Sequence, residues 1–167
     1  MAFSLIADAV FASVLDITPN FLRARRIRGL CLDMDNTLAR YGEAAFASEI
    51  AQWLSAMKEA GILLYVVSNN KSTARLAALC APLGIGFTHL SRKPSRRGFV
   101  IAAEAMGLSP HEAAAVGDQV FTDVLGGKRA GMQALLVTPR GLRDNPWFWI
   151  RHGLETPFIA LARRKMS

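Results

Sequence analysis

Apolar residues recur along this chain with two periods, and the switching between them defines its organisation. Over residues 3–15, Phe3, Ile6, Val10, Phe11, Val14 and Leu15 fall on one face of a helical wheel, with Asp8 and Asp16 away from it. That spacing predicts an amphipathic helix ending before Pro19. The basic run Arg23, Arg25, Arg26 and Arg28 leads into Gly29-Leu-Cys-Leu-Asp33, a short apolar run halted by acidic residues. This is the pattern of a buried strand with a loop at its carboxyl end. Helical spacing returns over residues 45–60, where Phe46, Ile50, Trp53, Leu54 and Met57 share a face and Gly61 supplies the stop.

The rhythm then repeats. A strand over residues 62–67 runs into Ser68-Asn-Asn70, and a helix is expected over 72–81, before Pro82. A short strand over 85–88, the basic loop from Ser91 to Arg97, a helix over 99–106, a strand over 113–116 and the loop from Gly117 to Asp123 follow. A helix over 124–130 and a strand over 134–137 complete the pattern. Strands alternating with helices predict an α/β domain with a doubly wound, Rossmann-like parallel sheet and helices on both faces. No repeat or linker divides it. The expected organisation is an N-terminal helix and basic lead-in over residues 1–28, a core over 29–140 and an aromatic, basic extension over 141–167.

Composition narrows the function classes. With 167 residues, 51% of them apolar, the chain suits one domain with a substantial core. Its longest apolar stretch, Ala60 to Val67, is 8 residues counting a glycine, against the roughly 18 or more that a membrane-spanning helix needs. The N-terminus has no basic start, and Asp8 interrupts its apolar stretch, so a cytoplasmic location is expected. Cys31 and Cys80 are read as buried thiols, and His89, His111 and His152 lie apart from one another and from the cysteines, against a transition-metal site. Twenty Lys and Arg oppose 13 Asp and Glu, a net charge of +7. Anionic partners follow: phosphate esters, nucleic acid or an acidic lipid surface.

In doubly wound sheets the reacting groups collect at the carboxyl ends of the strands, and there this chain places Asp33, Asp35, Ser68, Lys93, Asp118 and Asp123. Four ordered segments, Asp33-Met-Asp35-Asn-Thr37-Leu, Val67-Ser68-Asn69-Asn70, Arg92-Lys93-Pro94 and Gly117-Asp118-Gln-x-x-Thr122-Asp123, resemble the motifs of the haloacid dehalogenase superfamily of phosphatases. The resemblance spans about residues 29–137. With Leu15-Asp-Ile-Thr-Pro19 and Thr122-Asp-Val-Leu-Gly-Gly127 it is closest to the subclass IIIA, YqeG-type branch, which resembles phosphatidylglycerophosphate phosphatases.

The resemblance implies Mg²⁺-dependent hydrolysis of a phosphomonoester through an aspartyl-phosphate. Asp33 is then the nucleophile, Asp35 the general acid and base, and Lys93 the charge that offsets both nucleophile and phosphoryl group. Ser68, Asn69 and Lys93 bind the phosphate. The Asp33 and Asp118 carboxylates and the Asp35 backbone carbonyl hold the metal, with Thr37 and Asp123 supporting them. These residues also make chemical sense without the name: a phosphate dianion repels a carboxylate nucleophile unless positive charge neutralises both. Read singly, each has a plainer explanation, since paired aspartates can be a solvated loop, a serine at a strand end a cap and Lys93 surface charge.

Metabolite-specific members of this superfamily carry a cap domain between the motifs. Here Asp33 to Ser68 is 35 residues and Ser68 to Lys93 is 25, room for one helix and one strand each, so no cap is expected. An uncapped site admits phosphate attached to something large. Pro146-Trp-Phe-Trp-Ile-Arg-His152 and Pro157 to Lys165 mix aromatic, aliphatic and basic residues as interfacial segments do. They favour a phosphorylated lipid headgroup as substrate and peripheral contact with the inner face of an anionic membrane. The plainer reading is that they pack on the domain or form a dimer, and the sequence sets no oligomeric state. No aromatic RNA-binding motif is present, which disfavours nucleic acid. A phosphatase of a soluble sugar phosphate or nucleotide, and a phosphate-binding adaptor without activity, stay as alternatives.

Overall fold

The computed structural model describes residues 4–141 and 146–166. Six strands, β1 (Ala9–Phe11), β2 (Gly29–Leu32), β3 (Leu63–Val67), β4 (Gly86–Thr88), β5 (Ala113–Gly117) and β6 (Gln133–Val137), form one parallel sheet in the order β1-β6-β5-β2-β3-β4. The chain leaves β2 towards β3 and β4, then returns on the other side of β2 to build β5 and β6. The topological switch point therefore lies between β2 and β5, where a crevice opens at the carboxyl ends of the strands.

Side-chain alternation sorts the core into two layers. Leu30, Leu32, Val66, Ala114, Val116, Leu135 and Val137 face the larger apolar cluster. The helices α2 (Ser48–Glu59) and α3 (Thr73–Cys80) cover it, with Ile50, Leu54, Leu76 and Leu79 buried there. Cys31, Val67, Ala113 and Ala115 face the opposite layer, beneath α4 (Arg97–Ala105). This second face is built from small residues, so α5 (Leu125–Arg129) comes close to the sheet. A Cβ on Gly127 would lie 2.4 Å from Ala115 Cβ, and one on Gly126 would lie 2.5 Å from the Phe99 ring. Both thiols are buried, Cys31 pushed up to about 12 and Cys80 to about 11 by burial.

The helix expected over residues 3–15 does not form. Phe3 lies outside the described residues, and Ala9–Phe11 is instead the outer strand β1, in register with Leu135, Leu136 and Val137. Ala9 packs in the larger cluster while Val10 packs on the opposite side with Leu136, so a strand buries both faces of a segment whose spacing also fits a helix. Ser13 then caps a 3₁₀ turn, Val14–Asp16. Pro19 does not follow a helix but begins one: Thr18 accepts from the Phe21 N–H at the start of α1 (Pro19–Ala24), where a missing proline N–H costs nothing. The lead-in is thus part of the sheet, tied to α2 by Trp53 Nε1, which donates to the Ile17 carbonyl at 3.0 Å.

The aromatic, basic extension forms α6 (Pro146–Met166), a helix that continues through Pro157. Its inner face, with Glu155 and Ala162 buried and Phe158 and Ile159 partly buried, packs against the cluster of Ala7, Val120, Ala134 and Leu136. The Phe148 side chain lies outside the described residues. Between Asp33 and Lys93 the chain holds only α2, β3, α3, β4 and short turns, with no cap domain. Among the described residues no helix is long and apolar enough to cross a membrane.

The close approach of α5 has a measurable consequence. Gly127→Ala places a methyl group against Ala115 with no flexible neighbour to yield, and should lower unfolding stability by about 1–3 kcal/mol in chemical denaturation. An unchanged midpoint and slope would refute the packing assigned to this face.

Candidate active site

Asp33 is the first residue past β2, and its N–H is held by the Val116 carbonyl of β5 at 2.8 Å. Its side chain is therefore delivered to the switch point by the sheet itself. Thr37 Oγ1 donates to Asp33 Oδ2 at 3.1 Å, across a tight loop in which Asn36 adopts φ +65°. Lys93 Nζ approaches the other oxygen, Asp33 Oδ1, at 2.5 Å, and Asp123 Oδ1 at 2.7 Å. All three side chains are almost wholly buried.

Local structure explains this convergence. Asn69 grips the Lys93 backbone twice, its Oδ1 accepting from Lys93 N at 2.8 Å and its Nδ2 donating to Lys93 O at 3.3 Å. Its amide is thus engaged in placing the lysine. Asp123 belongs to a single π-helical turn, Val120–Val124, in which the Val124 N–H reaches the Gln119 carbonyl. Its carboxylate lies where a Cβ on Gly117 would be, only 2.2 Å from that position, so β5 must end in glycine. Gln119 N donates to Asp123 Oδ2 at 3.1 Å and completes its orientation.

Asp118 sits beside this group with different surroundings. Both of its carboxylate oxygens are buried and have no hydrogen-bond partner among the described residues. Asp33, Asp118 and Asp123 each offer an oxygen within 4.8 Å of the others. Three carboxylates thus crowd around one buried ammonium that contacts two of them, with Arg151 of α6 at the margin, 3.9 Å from Asp118 Oδ2. Burial, then the charges of Asp33 and Asp123, push the Asp118 carboxyl well above its ordinary range. Burial pushes Asp33 up to about 6 against the opposing pull of Lys93. Burial works against charge on Lys93 too, but Asp123 and Asp33 outweigh it and hold the ammonium above its usual value. A carboxylate buried without a partner is costly, and hard oxygen donors with excess negative charge suit a hard divalent cation. Asp118, whose two oxygens accept no hydrogen bond among the described residues, fits that role, with an oxygen of Asp33 and one of Asp123 within 4.8 Å.

Above this floor lies an open cleft of about 550 Å³, lined by Asp33, Asp35, Ser68, Lys93, Tyr41 and Thr122 among others. Ser68 Oγ, at the end of β3, accepts from Asn70 N at 3.0 Å, which leaves its hydroxyl proton available to a ligand. Asp35 is held at the side of the cleft, Oδ1 by Arg75 at 2.7 Å and Oδ2 by Asn70 Nδ2 at 2.9 Å. Arg75 also donates to the carbonyls of Arg40 and Glu43, joining α3 to the loop after Asp35. Sequence reasoning missed Arg75, Arg151 and Glu155. Arg75 carried one usable signal, a cation in the first turn of the helix that follows Ser68-Asn-Asn70; the other two carried none.

The family model for haloacid dehalogenase-like hydrolase matches residues 42–131, a span that starts after Asp33 and Asp35. The chain is 33% identical over 160 residues to "Probable phosphatase YqeG" of Bacillus subtilis (strain 168), covering 96% of this chain and 92% of that protein. Two solved structures share the fold. CbbY from Rhodobacter sphaeroides, in complex with phosphate, superposes with a TM-score of 0.58 at 17% identity, over 71% of this chain and 89% of that one. The cobalt-bound deoxy-D-mannose-octulosonate 8-phosphate phosphatase YrbI from Haemophilus influenzae gives 0.56 at 16% identity, over 83% and 92%.

The raised carboxyls give stability a defined pH dependence in metal-free protein. Asp33 and Asp118 hold protons more tightly folded than unfolded, so their contribution is present below the unfolded pKa and is lost as pH rises through the folded values, that of Asp33 lying at about 6. The Tm of chelator-treated protein should therefore fall between pH 5 and pH 7. Asp118→Asn should flatten that fall, and Mg²⁺ should raise Tm more at pH 7 than at pH 5. An identical slope in the variant would contradict the charge excess.

Proposed function

The chain belongs to the haloacid dehalogenase-like hydrolases and is a YqeG-type phosphatase, and from that premise we propose that it is a Mg²⁺-dependent phosphomonoesterase working through Asp33 on a lipid phosphate, with phosphatidylglycerophosphate as substrate. One observation carries the chemistry: the buried Lys93 bridges Asp33 and Asp123 on the floor of an open cleft, beside an Asp118 carboxylate that accepts no hydrogen bond among the described residues.

In this reading an Asp33 oxygen attacks phosphorus as the bond from phosphorus to the ester oxygen breaks, and Asp35 gives its proton to the departing alkoxide. Asp35 then takes a proton from water as that water attacks phosphorus of the aspartyl-phosphate, releasing inorganic phosphate and restoring Asp33. Lys93 offsets negative charge on the nucleophile and phosphoryl group, and the Ser68 hydroxyl and the second Asn69 N–H face the phosphoryl oxygens. Asp33, Asp118 and the Asp35 carbonyl are the proposed metal ligands. Bound Mg²⁺ would neutralise the repulsion between a carboxylate nucleophile and a phosphate dianion. Thr37 and Asp123 act by orienting Asp33 and Lys93.

The lipid assignment draws its support from the uncapped cleft and from α6. On the outer face of α6, Trp147, Ile150, Leu154 and Leu161 follow helical spacing, with Trp147 75% and Leu154 62% exposed. Arg163, Arg164 and Lys165 lie in its last turn. An apolar stripe ending in cations suits the interface of an anionic bilayer, where each basic residue contributes about 1 kcal/mol.

Asp33→Asn keeps the shape of the side chain but removes the attacking charge, so Mg²⁺-dependent hydrolysis should fall by at least about 10³-fold. Retained turnover in a clean preparation would sink the covalent mechanism. For the substrate, the protein should bind phosphatidylglycerol vesicles in a salt-sensitive manner. The pair Trp147→Ser and Leu154→Ser should reduce hydrolysis of phosphatidylglycerophosphate in vesicles far more than that of a small chromogenic phosphate. No vesicle binding at low salt, with fast turnover of a sugar phosphate or nucleotide, would overturn the lipid assignment and leave the phosphatase standing.

A further inference from the structure

Glu155 is a carboxylate buried to 2% exposure on the inner face of α6, in a sequence position far from the four motifs. Its Oε1 accepts from Val120 N at 2.9 Å and from Phe121 N at 3.4 Å. Those N–H groups open the π turn that follows Asp118 and carries Asp123. The first N–H groups of a helical turn have no acceptor within it, so Glu155 serves as a cap delivered from another element. Four residues earlier on α6, Arg151 lies 3.9 Å from Asp118 Oδ2 and 3.9 Å from Glu155 Oε2. The inner face of α6 therefore meets the acidic loop twice, once at its backbone and once at its charge.

The residue type is informative. An apolar side chain of similar size would seat α6 on the sheet without desolvating a charge, as Ala162 does one face-repeat later. The buried glutamate is compensated by Arg151 at 3.9 Å on its own helix and by its hydrogen bonds, and the hydrogen bonds go to the loop. The loop needs such help, because neither oxygen of Asp118 is anchored by a hydrogen bond among the described residues. Ligands hold a metal tightly when neighbouring groups fix their orientation.

We propose that Glu155 is a positioning residue for the metal site: by capping the Val120 and Phe121 N–H groups it fixes the loop so that Asp118 faces Asp33 and Asp123 faces Lys93. α6 is thereby a working part of the site as well as an outer layer. This rests on the metal reading above.

The test is calorimetric titration of the full chain with Mn²⁺ and Mg²⁺, for wild type, Glu155→Gln, Glu155→Ala and Glu155→Met. Glu155→Gln keeps an oxygen for both N–H groups and should bind metal within about threefold of wild type, whereas Glu155→Ala and Glu155→Met should weaken binding by about tenfold or more. The Mg²⁺ concentration for half-maximal activity should rise in parallel, with kcat partly recovered at saturating Mg²⁺. Glu155→Met can still seat α6, so a folded Met variant with wild-type metal affinity overturns the proposal, as does a Gln variant as weak as the Met variant. If neither Ala nor Met variant folds, amide exchange in the unmodified chain decides. Mg²⁺ should slow exchange at Val120 and Phe121, and unchanged rates there with metal bound would overturn the coupling. Failure of the wild-type chain to bind either metal would instead overturn the metal reading itself.

Discussion

One ammonium group shared by two buried carboxylates constrains the rest of this molecule. Lys93 lies within 2.7 Å of both Asp33 and Asp123, and none of the three is accessible enough for water to substitute for its partners. Removing one member would strand charge in a low-dielectric site, so the elements that carry them must meet closely. Asp33 comes from the end of β2, Asp123 from the turn after β5 and Lys93 from the loop before α4. Adjacency of β2 and β5 is therefore a requirement of the site, met by placing the switch point of the sheet between them.

That requirement reaches into residues with no charge of their own. Gly117 is demanded by the approach of Asp123, and Asn69 spends its amide on the Lys93 backbone. The small residues beneath α5 let the segment after the π turn lie close to the sheet. Positive charge is still short of balance. With Asp118 accepting no hydrogen bond among the described residues at the same spot, the fold leaves a position where a divalent cation is electrostatically welcome.

α6 has two faces with separate duties. Its inner face meets the acidic loop through Glu155 and Arg151, while its outer face exposes Trp147, Ile150, Leu154 and Leu161. The two readings the sequence left side by side, packing on the domain and lying at an interface, are thus not exclusive. A surface that touches a bilayer on one side would bear on the catalytic loop on the other.

The amino-acid sequence by itself determined the alternation of strands and helices from β2 to β6, because short apolar runs and helical spacing are local consequences of burial on a sheet face or a helix stripe. It also determined which polar residues follow the apolar runs, so Asp33, Asp35, Ser68, Lys93, Asp118 and Asp123 were legible in the sequence. Tertiary structure decided what periodicity leaves ambiguous. Residues 9–11 satisfy a helical pattern, yet β6 offers open backbone groups and burial on both faces, so they become β1. Asn69 was legible as a polar residue at a strand end, but that its amide also holds the Lys93 backbone was decided only by the fold. Arg75 and Glu155 act on Asp35 and on the Val120–Val124 turn from 40 and about 35 residues away in sequence. Contacts at that separation have no period to read, and only the folded chain brings their partners together.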